Sequence, residues 1–219
     1  MELMKAPLFR MYKLTINADD RDKFVEEGEH NLLTSVRNEP GTLAMYATHE
    51  DEAGTTNYVF EIYLDEERYQ VHANSPQFKS YSQLAQQVIT DREVHQLHPA
   101  YLSISNGFEV AGINYSPVEL YDLTIAKDKV KHLKHLLSEE VVASFEELRG
   151  FSTFNVASVD EDETHWIILT IFKDRANQNK SKSWLLDLLN DSTAKYQLHQ
   201  LVVDTMVSQD KLEYSDLDD

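Results

Sequence analysis

Met11-Tyr12-Lys13-Leu14-Thr15-Ile16 returns 109 residues later as Leu120-Tyr121-Asp122-Leu123-Thr124-Ile125, and this repetition constrains the fold more than any other feature of the chain. Held without a gap, the same offset aligns Asp19 with Asp128, Ser35 with Ser144, Gly41 with Gly150, Asp51-Glu52 with Asp160-Glu161, Ile62 with Ile171 and Asp65 with Asp174. A repeat of this length is a duplicated domain, not a solenoid unit. The 219 residues therefore read as two related halves, 1–109 and 110–219, with a connecting arm from about residue 90. Charge divides the same way: 9 Lys and Arg against 18 Asp and Glu in the first half, 11 against 20 in the second, so each half carries −9. Beyond about residue 66 the register slips, which is expected if the second half needs extra residues before its last helix.

Each half predicts the same succession of elements. Phe9 to Ile16 alternates apolar and polar residues, the signature of a strand with one buried face. Asp19 and Asp20 are expected to cap a helix to about Arg37, and Val130, Leu133, Leu137, Val141, Ser144 and Leu148 recur at helical spacing in the second half. Pro40-Gly41 and Gly150 end these helices, and hairpins follow. Ser75-Pro76 is an N-cap followed by an N1 proline that starts a further helix to about Ile89. Strand-prone tails close the units near Leu97–Ser105 and Leu201–Met206. The order β-α-β-β-α-β is the α+β, ferredoxin-like unit, whose antiparallel sheet has helices on one face and leaves the other bare. Two such sheets on one chain can cover each other, which predicts a single α+β barrel, an internal pseudo-dimer that could pair again as a homodimer. Residues 90–117 are expected to form a crossing arm with its own strand, since Val94 to Tyr115 is too apolar for a flexible tether.

Composition narrows the function. A net charge of −18 repels phosphate backbones and anionic lipid, so nucleic acid and membrane surfaces are not expected partners. The longest apolar run, Trp166 to Phe172, has the length of a buried strand. With no cysteine, disulfides, thiolate nucleophiles and Cys-ligated metals are excluded. Residues 1–9 do not read as a secretory signal, and the expected location is the cytoplasm.

Three blocks of the first half carry a resemblance: Glu39-Pro40-Gly41-Thr42-Leu43 after a helix, Glu61-Ile62-Tyr63-Leu64-Asp65 at a strand end, and His72-Ala73-Asn74-Ser75-Pro76-Gln77-Phe78-Lys79-Ser80-Tyr81 on the next helix. In order and spacing this half resembles the antibiotic-biosynthesis monooxygenase (ABM) family. The resemblance implies a dimeric α+β barrel that oxidises small aromatic, phenolic or quinol substrates with O2, with no metal and no other cofactor. In such a reaction a phenol or enol deprotonated in a dry pocket becomes electron-rich enough to reduce O2 directly, so the protein supplies a base and excludes water. His72 is the candidate base and Glu61 the group that orients it or holds a substrate hydroxyl. Phe24, Tyr46, Phe60, Phe78 and Tyr81 are the candidate aromatic wall, expected to converge beneath the helices, with Asn31 as a polar contact.

The second half departs from this pattern. Thr170 stands where Glu61 is expected and Arg149 where Pro40 is, so one pocket per chain is expected. Two other functions share the barrel: haem binding or degradation, with His199 as the axial candidate, and non-catalytic binding of a small molecule. The pairs His95/His98 and His132/His135 have a spacing that could place two imidazoles on one helix face, yet each lacks a third ligand.

Overall fold

In a computed structural model that describes residues 1–112, 114–143 and 150–217, the first half runs β1 (Leu8–Ile16), α1 (Arg21–Asn38), β2 (Thr42–His49), β3 (Thr56–Tyr63), α2 (Glu66–Ala73), α3 (Pro76–Val88) and β4 (Ile89–Ile104). A short strand β5 (Phe108–Ala111) crosses to the second half: β6 (Val118–Thr124), α4 (Val130–Ala143), β7 (Phe151–Val159), β8 (Asp162–Phe172), α5 (Arg175–Asp191), β9 (Lys195–Ser208) and β10 (Leu212–Ser215). Ser144 and Leu148 of the expected helix pattern lie outside the described residues. Among the described residues no helix is long and apolar enough to cross a membrane.

Capping explains most helix starts. Asp65, Ser75 and Asp174 each accept a hydrogen bond from the backbone N–H three residues on, at 2.9, 3.2 and 2.8 Å. Asp19 and Asp20 do not cap through their side chains; they form a 3-10 turn, Ala18–Asp20, ahead of α1. Gly41 turns the chain into β2 at φ +108°, where a Cβ would lie 2.6 Å from Arg68 Cγ.

Eight strands close a barrel in the order β1-β3-β2-β9-β6-β8-β7-β4, with β4 returning to β1 and every pairing antiparallel. The long strands β4 and β9 make this closure possible. One stretch of β4 pairs with β1 and the next with β7; β9 pairs in the same way with β6 and then β2. The segment expected to be mainly a connecting arm is thus largely a barrel stave, and only β5 crosses outside it, against β9. Phe9, Met11, Phe60 and Ile62 meet Leu120, Leu169, Ile171 and Leu201 inside the barrel, while the helices pack outside. Met11 pairs with His95 and its counterpart Leu120 with His199, so the offset falls from 109 to 104 by the last strand. The second half is therefore shorter at this point, not longer as expected: α5 alone replaces α2 and α3.

Candidate functional site

Strand alternation decides which residues of the first half can meet under the helices. On β3, Tyr58, Phe60 and Ile62 face the barrel interior, while Val59, Glu61 and Tyr63 face outward. Phe60 packs on Phe9 with ring centroids 6.5 Å apart, and Tyr46 stacks on Phe108 at 6.1 Å with its hydroxyl 3.4 Å from Thr153 Oγ1. Tyr46 and Phe60 are therefore barrel-core residues, and the expectation that they join the aromatic wall fails because they have the opposite parity to Glu61.

Phe24, Gly28, Asn31 and Leu32 recur at helical spacing on the inner side of α1, and Tyr81 comes down from α3. Phe24 and Tyr81 are in ring contact at 5.8 Å, Phe78 and Tyr81 at 6.4 Å. Two cavities meet at Val59, Glu61 and Tyr81. One, of about 20 Å³, is lined by Phe24, Gly28, Asn31, Leu32, Asn57 and, from β9 of the second half, Asp204 and Thr205. The other, of about 100 Å³, is lined by Tyr12, Leu14, Tyr69, Phe78, Ser82 and Arg92.

Glu61 is 6 % exposed, and its Oε2 accepts a hydrogen bond from Tyr63 at 3.0 Å. Its Oε1 has no hydrogen-bond partner among the described residues. Burial first, and then the adjacent Glu61 charge, hold the phenols of Tyr12, Tyr63 and Tyr81 well above their usual value of 10.0. These hydroxyls stay protonated and can donate to an anion. In the smaller cavity the Oδ1 of Asn31 and the Oγ1 of Thr205 are both buried and both lack a partner. Buried polar groups are nearly always hydrogen-bonded, so a pair of exceptions facing one cavity marks where a ligand's polar atoms can sit.

His72 lines neither cavity. It is fully buried at the junction of α1 and α2, its Nδ1 3.1 Å from both Glu39 Oε2 and Ser35 Oγ. A carboxylate only accepts, so Nδ1 carries its proton toward Glu39. Thr42 donates to Glu39 Oε2 at 2.8 Å and Gln77 to Glu39 Oε1 at 2.5 Å. Burial alone would raise the Glu39 carboxyl; hydrogen bonds from His72, Thr42 and Ser75 outweigh it and hold the group below its usual range. The ring of Tyr63 lies 5.5 Å from His72 while its hydroxyl bonds Glu61, so this tyrosine links the two candidates.

The other histidines are also placed. His199 is on β9, not on a helix, and its Nδ1 bonds Glu50 Oε1 at 2.7 Å. His95 and His98 share a strand, where a spacing of three puts them on opposite faces. His132 and His135 are exposed on α4. Among the described residues no group of three or more His, Asp or Glu is placed to hold a metal ion.

In the second half bulkier side chains stand at two of the corresponding positions. The counterparts of Phe24 and Gly28 are Leu133 and Leu137, both fully buried, and Tyr101 stands where Thr205 does, packed on Phe154 at 6.1 Å. Glu119, the counterpart of Arg10, is buried with both oxygens occupied, by Gln178 at 2.6 Å and Tyr121 at 2.7 Å.

Residues 7–84 match the family model for antibiotic biosynthesis monooxygenase, ABM. No curated protein matches the sequence. Across the whole chain the fold resembles a candidate monooxygenase from Fusobacterium nucleatum subsp. nucleatum ATCC 25586, at a TM-score of 0.86 and 16% identity over 97% of this chain and 99% of that one. A candidate monooxygenase from Lactobacillus acidophilus NCFM gives a TM-score of 0.84 at 18% identity over 95% and 99%. An anthrone oxidase-like protein aligns at 0.57 and 10% identity over 94% of each chain. At these identities the likeness is one of fold, and the family match is confined to residues 7–84.

Proposed function

We propose that the first half is a monooxygenase that transfers one atom of O2 to a small planar phenol or hydroquinone bound against Glu61. One observation carries this reading: a buried carboxylate with a free oxygen stands between an aromatic cavity and a smaller one holding two unpartnered polar groups. Glu61 takes the phenolic proton, and the phenolate passes one electron to O2. The phenoxyl radical and superoxide join at a ring carbon that carries hydrogen, para to the oxygen in a phenol and ortho to it in a hydroquinone, and that hydrogen leaves as a proton. The O–O bond then breaks with loss of water and leaves a quinone. The phenol loses four electrons and O2 gains four, so one phenol and one O2 give one quinone and one water with no added reductant. Thr205 supplies an O–H donor where negative charge develops on oxygen, and Asn31 Oδ1 accepts from a substrate hydroxyl.

Size supports a single ring. Neither cavity reaches the roughly 300 Å³ at which pockets for drug-sized ligands begin.

The test is oxygen uptake and 18O incorporation with a hydroquinone series, comparing the parent protein with Glu61→Gln. One labelled atom in the quinone, and uptake falling at least about a hundredfold in the variant, is the expected result. Uptake indifferent to Glu61→Gln overturns the assignment, and binding without uptake leaves a non-catalytic barrel.

A further inference from the structure

The two unpartnered atoms of the smaller cavity belong to elements from opposite halves: Asn31 Oδ1 to α1 and Thr205 Oγ1 to β9. Their spacing depends on how far α1 stands off β9. A β-bulge aims Thr205. Ala47 and Thr48 are neighbours on β2 but pair with Thr205 and Val203, so Asp204 is an extra residue in β9. Val203 and Met206 consequently both face the lumen, and Thr205 turns to the helix side. Asp204 carries a side-chain network. Arg21, at the start of α1, donates from Nη2 to Asp204 Oδ1 and from Nη1 to Asn57 Oδ1 at 2.8 Å. His49 Nδ1 lies 2.9 Å from the same guanidinium and 3.0 Å from Asp204 Oδ1. The Arg21 and Asp204 side chains are only 17 % and 11 % exposed. At the other end of α1, Gln209, just past β9, donates from Nε2 to the carbonyls of Val36 and Glu39, both at 3.0 Å. The helix is thus tied to this stretch of chain on both sides of Asn31.

The second half builds the same bulge without charge. Pro99 and Tyr101 pair with Ala157 and Val156, which makes Ala100 the extra residue in β4. The counterparts of Arg21, His49, Asn57 and Asp204 are Val130, Ser158, Trp166 and Ala100. The bulge therefore does not require the network. What the two halves do not share is the packing beneath the helix: Leu137 and Tyr101 stand where Gly28 and Thr205 do, and their contacts set the height of α4. Under α1 the void has no atoms to hold the helix off the strand, and dispersion favours closing it. We propose that Arg21 and Asp204 are positioning residues that hold α1 at a fixed height over β9, so that Asn31 and Thr205 face a substrate oxygen across an open cavity. This rests on that cavity belonging to the substrate site. Arg21 lines neither cavity and acts through Asp204.

The test is a crystal structure of the double variant Arg21→Val, Asp204→Ala, together with hydroquinone affinity by calorimetry under nitrogen. The substitutions copy Val130 and Ala100, and removing both charges leaves no lone buried ion. The expected structure keeps the barrel and the bulge while α1 settles onto β9 and the cavity of about 20 Å³ closes. Hydroquinone should bind at least about tenfold more weakly, and Arg21→Lys, which keeps the charge, should retain part of the affinity. A cycle with Thr205→Val separates positioning from general loosening. That change should weaken binding about threefold in the parent, as for one hydrogen bond, and have no effect in the double variant, where the hydroxyl is no longer aimed. An unchanged spacing of α1 and β9, a Thr205→Val effect of equal size in both backgrounds, or loss of the folded state in both the double variant and Arg21→Lys overturns the positioning role. If the cavity closes as expected but the parent consumes no oxygen when air is admitted, the monooxygenase reading fails and the positioning role stands.

Discussion

Glu61 and Glu119 occupy opposite ends of the same rung in the two halves. Glu61 on β3 pairs with Arg10 on β1, whereas Glu119 on β6 stands at the position of Arg10 and pairs with Thr170, at the position of Glu61. Each carboxylate accepts a hydrogen bond from the tyrosine two residues on, Tyr63 at 3.0 Å and Tyr121 at 2.7 Å. Only Glu61 keeps an oxygen free, because Gln178 takes the second oxygen of Glu119. Glu61→Gln should therefore abolish uptake and keep the fold. Glu119→Gln should leave uptake alone and change stability by no more than about 2 kcal/mol, read from urea unfolding.

Gly28 keeps the smaller cavity open. A Cβ there would lie 3.9 Å from Tyr81 Cε2, an ordinary contact, and glycine in a helix interior costs about 1 kcal/mol relative to alanine. Gly28→Ala should raise stability by about that amount, or roughly 2–4 °C in melting temperature for a chain of this size. Gly28→Leu copies Leu137 of the second half and should fill the cavity. Hydroquinone uptake should then disappear while the melting temperature holds; uptake that persists would separate the cavity from the chemistry.

The duplication, the strand parity and the helix faces were legible because each repeats at a fixed period. Parity alone also separates Phe60 from Glu61, since neighbours on a strand face opposite sides, and the same argument puts Tyr12 on the side of Glu61. Tyr12 and Tyr69 went unmarked because tyrosine in a strand or a short helix is ordinary on its own. Thr205 and Asp204 could not be read from the first half at all. They reach its cavity from β9, which pairs with β2 only once the barrel closes. The block around His72 was legible as a pattern, but the direction of the imidazole is set by how α2 docks on α1, and that carries no sequence period.

Thr205 offers a test with little change of shape. Its hydroxyl is buried without a partner, and Val replaces it at nearly the same volume. Removing an unsatisfied polar group can stabilise a protein by about 1 kcal/mol, so Thr205→Val should melt no lower than the parent. Uptake should nonetheless fall if the hydroxyl donates to developing oxygen charge. A variant that melts well below the parent would show instead that the hydroxyl has a structural partner, such as a buried water.

Acid should act on the His72–Glu39 junction. The folded protein holds the Glu39 carboxyl below its ordinary value of 4.5, so the unfolded chain binds the extra proton first as pH falls. The stabilisation is complete above that value and is lost as pH drops through the folded-state value. Glu39→Gln should therefore flatten the acid limb of a melting-temperature profile below about pH 5. His72→Ala should cost about 3–5 kcal/mol, because it opens a hole and strips a buried carboxylate of its partner. Its uptake should fall only with the folded fraction, the reverse of Glu61→Gln. If His72→Ala keeps its melting temperature and loses uptake, the proton passes through the imidazole, and the base assigned to Glu61 is His72.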